Sequence, residues 1–214
     1  MRLKYVSGVC LMALAASAAQ PLPELRVEPT AGGSILYIKN GSTEPLTAYL
    51  IELVDYPGSY YALWQDEVSA PLAPGAEQRM QISNMTVGAV PDYVKMQAAI
   101  YADGSSSGIP EKVTQLVERR RFTLETTREL IRRLEKAQSA GTEKAAVIAE
   151  LKQLAGTMQS QGRPDRNSQA TINQAAGRSL IAETEAGIDA HSVEETLTGL
   201  RASERALAAS KPAL

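Results

Sequence analysis

Histidine, cysteine, tryptophan and phenylalanine each occur once among the 214 residues, as His191, Cys10, Trp64 and Phe122. Each scarcity removes a class of chemistry. Cys10 lies inside an apolar N-terminal run, so the rest of the chain has no thiol for a disulfide, a nucleophile or a thiolate metal site. Val9 is also wrong for a lipoprotein signal, which needs a small residue just before the cysteine. His191 has no second histidine to converge with, which excludes a histidine-based zinc site and leaves a triad without partners; it reads as a loop residue. No Gly-rich phosphate loop, HExxH or GxSxG pattern occurs. No strong positive charge is present either: 22 basic residues stand against 24 acidic ones, for a net charge of -2. A general nucleic-acid binder needs a basic field, so nucleic acid is not an expected partner. No cofactor is expected.

What is present begins with export chemistry. Arg2 and Lys4 precede an uncharged apolar stretch from Val6 to Ala16, and Ala16-Ser17-Ala18 and Ser17-Ala18-Ala19 both fit the small-x-small rule for signal cleavage. The stretch is short of the ~20 residues of a membrane span, and Pro21 and Pro23 stop a helix from running on. Residues 1–19 are expected to be a signal peptide, giving an exported protein, periplasmic or secreted, whose only membrane contact is through the signal before cleavage. Losing Arg2 and Lys4 leaves 20 basic residues against 24 acidic, a net charge of about -4.

Aromatic residues divide the remainder. Seven tyrosines and Trp64 fall between Tyr37 and Tyr101, and nothing aromatic follows Phe122. Strand formers fill the first part and helix formers the second. Short strand-like runs lie at Leu25–Glu28, Ser34–Lys39, Leu46–Val54 (apolar on both faces, as in a central strand), Tyr60–Trp64 (aromatic), Gln78–Ile82 and Val94–Tyr101, with Pro/Gly turns between them, Asp55-Tyr56-Pro57-Gly58 among these. About six strands over residues 20–108 predict a small antiparallel β-sandwich. Asp103-Gly104-Ser105-Ser106-Ser107-Gly108 lacks the acidic spacing of a calcium loop and reads as a flexible strand-to-helix connection. Asn40-Gly41-Ser42 and Asn84-Met85-Thr86 match the glycan acceptor pattern but read as turns.

Residues 109–138 predict one long amphipathic helix. Pro110 suits its first position and Glu111 its positive end. Val113, Val117, Arg120, Leu124, Thr127, Ile131 and Leu134 follow a 4-3-4-3 spacing, widened by Leu116, Leu130 and Ala137. Residues 139–214 predict a helical, partly flexible region: a helix over about 142–155, a polar loop over 156–168, a weaker helix over 169–186, and a last one after the Ser192-Val193-Glu194-Glu195 capping box. The last nine residues, Ala206 to Leu214, read as dispensable to the fold.

The run Leu36-Tyr37-Ile38-Lys39-Asn40-Gly41-Ser42, the pair Pro74-Gly75, the run Ala98 to Ser106 and the cluster Glu118-Arg119-Arg120-Arg121 together resemble uncharacterised exported bacterial proteins. In that group an immunoglobulin-like β-sandwich precedes an arginine-containing helix. The resemblance implies an α+β fold of sandwich followed by helices and no activity.

Five residues are candidates for contact with a partner: Tyr61, Trp64, Arg119, Arg120 and Phe122. Aromatic side chains anchor partners or stack on sugars, although alternation along the strand places at least one tyrosine in the core. The three arginines read first as a solvated helix face, diluted by Glu118 and Glu125. Phe122 lies off the apolar stripe and is expected against the sandwich. Asp55, Asp66, Glu67 and Asp92 leave a carboxylate-based hydrolase as the remotest reading. Ahead of it stand a non-catalytic binding or assembly module of the cell envelope and a self-associating structural protein, with another envelope protein or a second copy as partner.

Overall fold

The computed structural model describes residues 20–55, 59–83, 93–158 and 168–213. The expected signal with Cys10, the 56–58 part of the Asp55–Gly58 turn, the Asn84 sequon, Asp92 and most of the 156–168 loop lie outside the described residues.

The fold is α+β, two antiparallel sheets followed by C-terminal helices. β1 (Glu24–Thr30), β2 (Gly33–Lys39) and β5 (Glu77–Ile82) form one sheet in the order β1-β2-β5. β3 (Leu46–Asp55), β4 (Ser59–Asp66), β6 (Tyr93–Tyr101) and β7 (Ser106–Gly108) form the other, ordered β4-β3-β6-β7. β7 is a seventh strand where six were expected. It corrects the reading of Asp103–Gly108 as a mere connection: the segment is a hairpin, in which the Asp103 carboxylate accepts from the Ser105 N–H at 2.9 Å and its hydroxyl at 2.6 Å. Gly108 is required there, because at φ 101° a Cβ would lie 2.1 Å from the Gln97 carbonyl oxygen.

Alternation puts Leu36 and Ile38 of β2 against Tyr49, Ile51, Leu53, Met96, Ala99 and Tyr101 of β3 and β6, a buried core between the sheets. The opposite face of the second sheet presents Ala48, Leu50, Ala98 and Ile100 to a helix. A register shift between Leu46 and Ala48 gives β3 an extra residue. Thr47 and Ala48 consequently both serve the helix-facing side, whereas strict alternation would have separated them.

That helix is α1 (Pro110–Ser139), about 45 Å long at 1.5 Å per residue. Its first half lays Leu116 on the sheet, and Lys112 ties it down through an ion pair of 2.6 Å to Glu52 of β3. Its second half, with Leu130, Leu134 and Ala137, enters a cluster shared with α2 (Lys144–Thr157), α3 (Gln169–Ala190) and α4 (Val193–Ala209). Ser168 and Ser192 cap α3 and α4, accepting from the Thr171 and Glu195 N–H groups. The last two helices are packed rather than loose. Ile181 and Ile188 are fully buried and Leu197 nearly so, because together they close the side of α1 that the sheet leaves open.

One further reading agrees with the structure and one is corrected. The Asn40 amide is fully buried, donating to the carbonyls of Glu44 and Leu72 and accepting from Ser42, so this sequon is a structural turn. The C-terminus is also part of the fold: Leu207 is buried and the Lys211 carbonyl accepts from Arg120 at 2.9 Å.

Candidate binding groove

Between β4 and α3 the structure leaves a trench. One cavity of about 500 Å³ is walled by Tyr61 to Gln65 on one side and by Thr171, Ile172, Ala175, Ala176 and Ser179 on the other. A second, of about 540 Å³, continues from Trp64 to Ala70 opposite Ala176 to Glu183, with Thr123, Thr127 and Leu207 closing it. The two share Trp64, Gln65, Arg119, Ala176 and Ser179. Advancing along β4 therefore advances along α3, and the trench runs parallel to both.

β4 ends its sheet and pairs only with β3 among the described residues. Its outer row of N–H and C=O groups faces no ladder partner, the condition under which an edge accepts another strand. The far wall is narrow because α3 carries alanine and serine there. Gly177 lets the helix come close: a Cβ at that position would meet Met158 Sδ at 2.7 Å and the Phe122 ring at 3.0 Å.

The three adjacent arginines separate. Arg121 is exposed and pairs with Glu118 at 2.6 Å, as a solvated face predicts. Arg120 corrects that prediction, being fully buried. Its Nε and Nη2 grip the Asp66 carboxylate at 3.0 and 2.7 Å, Nη1 donates to the Lys211 carbonyl at 2.9 Å, and Nη2 also donates to Thr47 Oγ1 at 3.1 Å. The Thr47 hydroxyl in turn donates to the Ile100 carbonyl at 3.0 Å. No part of Arg120 can meet a partner. Burial pushes the Asp66 carboxyl above its ordinary value, opposed by the hydrogen bond and charge of Arg120 and the charge of Arg119.

Arg119 is the groove's arginine. It is half-buried and lines both cavities; its carbonyl accepts from Thr123 Oγ1 at 3.0 Å, but its guanidinium makes no hydrogen bond or close ion pair with another described residue. Burial pulls its guanidinium below the ordinary value, with Asp66 and Glu183 offsetting part of the cost from a distance. The groove's carboxylates, by contrast, are engaged. Asp66 holds Arg120, Glu67 accepts from Gln78 at 3.2 Å, and Glu183 accepts from Ser179 at 3.1 Å.

Three of the five candidate contacts thus line one trench: Tyr61, 42% exposed at its rim, Trp64 on its strand wall, and Arg119. Phe122 is not on the sandwich as expected. Its ring packs under α3 at Gly177, because α3 rather than the sheet covers that side of α1. His191 caps the end of α3 and is exposed, and among the described residues no group of three His, Cys, Asp or Glu side chains could hold a metal. No helix among them is long and apolar enough to cross a membrane.

The sequence reading missed the trench itself, Arg120's burial and the α3 wall. An Arg at an inward position of a 4-3-4-3 stripe was the available signal for a buried ion pair. Compared with family models, curated proteins and solved structures, the chain matches none.

Proposed function

We propose that the protein is an exported, non-catalytic binding module of the bacterial cell envelope, and that the trench between β4 and α3 is where it binds. The observation that carries this reading is Arg119, a half-buried guanidinium without a side-chain partner among the described residues, set between Tyr61, Trp64 and the edge of β4 that pairs with none of them. A desolvated cation costs free energy unless a ligand supplies the missing acceptors. The carboxylates near it are held by Arg120, Gln78 and Ser179, which leaves a hydrolase little to work with. The stripe of α1 is covered within the chain by the sheet and by α3 and α4, which removes the seam that a self-associating bundle would use.

The sandwich is immunoglobulin-like in this proposal. Its first, second and fifth strands share one sheet and its third, sixth and seventh the other, as in seven-strand immunoglobulin domains; here the fourth strand joins the second sheet. Export rests on Arg2, Lys4, the apolar run and the Ala-rich end of residues 1–19.

A photo-crosslinking residue at position 61, compared with one at the exposed Gln153 of α2, tests the reading in cells that express the full chain. A discrete adduct at 61, lost with Trp64→Ala and missing at 153, is the expected result. Equal labelling at both positions, or none at 61, overturns it.

A further inference from the structure

We infer that the trench takes an extended peptide segment of a partner protein, added as a strand to the edge of β4, with an acidic side chain of that segment held by Arg119. This rests on the binding-module reading above and names the ligand class.

The shape of the trench is the first argument. It follows β4 from Tyr61 to Gln65 and continues to Ala70, while its other wall follows α3 from Thr171 to Glu183. A strand of eight residues such as β4 spans about 26 Å. A small compact ligand needs a pit rather than a trench of that length beside a sheet edge, whereas an extended chain of about six to eight residues matches it and finds its backbone partners on β4.

Charge is the second argument. Arg119 offers five N–H donors in a rigid fork that suits a carboxylate. Because Asp66, Glu67 and Glu183 already have protein partners, Arg119 is the charged side chain in the trench that has none among the described residues. The chemistry differs along the length. Around Tyr61, Leu63, Ile172 and Ala175 the walls are largely apolar, and Glu67 and Glu183 lie only in the other half. The segment that fits has an acidic residue opposite Arg119 and apolar residues on the Tyr61 side. An acid displaced toward Glu67 and Glu183 is repelled, which fixes the direction in which the peptide lies.

The exposed row of backbone groups on β4 is the third. Sheets commonly defend such an edge with inward charge, bulges or a covering element. Among the described residues β4 carries inward charge only at its last residue, Asp66, and no bulge or covering element lies against its outer side; α3 stands off by the width of the trench instead of covering it.

The test selects phage-displayed random dodecapeptides on the full chain and on its Arg119→Gln variant, then measures the affinity of the winning peptide and of its acid-to-amide counterpart. Selection on the wild type should enrich a shared acid next to apolar residues, and selection on Arg119→Gln should not. Replacing either the peptide acid or Arg119 should weaken binding on the order of tenfold or more, and bound peptide should slow hydrogen exchange in the amides of β4. Ala175→Glu, an exposed helix-surface change that supplies Arg119 with a carboxylate in cis, should weaken binding while melting like wild type. Enriched peptides without a shared acid, equal affinity for the Arg119→Gln chain, or unchanged exchange in β4 each overturns the inference. A position-61 adduct that persists beside any of these results leaves the binding-module reading standing, and loss of the adduct removes both.

Discussion

The guanidinium of Arg120 on α1 closes on the carboxylate of Asp66 at the end of β4, with Nη2 2.7 Å from Oδ1 and Nε 3.0 Å from both oxygens. The arginine is fully buried and the aspartate side chain only 8% exposed. Neither charge has water to fall back on, so each depends on the other. Asp66→Asn and Arg120→Met should each destabilise the protein by about 3–5 kcal/mol, because each strands a buried group. Arg120→Lys should not restore stability, since an ammonium cannot reach Asp66, Thr47 and Lys211 in one plane. Urea unfolding of the single and double variants checks this, and the double variant should lose clearly less than the two singles added together.

Removing the chain after Ser210 takes away the carbonyl that Arg120 Nη1 uses. The deletion should cost about 1–3 kcal/mol, the range for an unsatisfied buried donor. Thermal melting of the truncated chain beside full-length protein is the measurement. An unchanged melt would show that residues 211–214 contribute little to the fold.

Leu130 and Leu134 are fully buried where α1 meets the other helices. Leu130→Ala should destabilise by about 2–5 kcal/mol through lost burial and the cavity left behind. Ile131→Ala should cost less, because Ile131 packs at the margin of the same cluster. The ratio of the two denaturation midpoints, rather than either alone, tests whether α1 faces as described.

Alkaline pH should unfold the two-sheet region in a defined direction. Burial raises the Tyr49 phenol above its ordinary value, helped by the Glu67 charge. Burial likewise raises Tyr101, which donates to the Pro21 carbonyl, while Ser107 works the other way. The folded state therefore holds both protons more tightly than the unfolded chain. The stability this contributes is complete below the ordinary tyrosine value of about 10 and is lost as pH rises from there toward the folded values. Tyrosinate absorbance should show two phenols titrating only together with loss of the two-sheet region, and Tyr49→Phe should remove one of them.

How much of this was written in the sequence depends on the range of the interaction. The strands and α1 were legible because their signals are local: alternation in Val94 to Tyr101, Pro110 at a helix start, a 4-3-4-3 stripe. β7 was not, because three residues give no period and the pairing of Ser106–Gly108 with β6 depends on a turn at Gly104. Arg120 occupied an apolar position of a well-read stripe, yet its partner Asp66 lies 54 residues earlier and Lys211 lies 91 later. No window along the chain contains both. The same holds for the candidate site. Tyr61, Trp64 and Arg119 could be picked by residue type, but α3 as their opposite wall follows from the packing of Gly177 over Phe122.

The attachment of Lys211 to Arg120 also sets an order of events. Arg120 sits at the junction of sheet and helices, already facing Asp66 and Thr47 once α1 has docked. Its Nη1 finds its acceptor only when residue 211 has arrived. In a chain that emerges N-terminus first, the sheets and α1 are made before Lys211, so Arg120 Nη1 lacks this acceptor until then. A chain cut short before Lys211 therefore carries an unsatisfied N–H beside the buried Arg120–Asp66 pair, at its own centre.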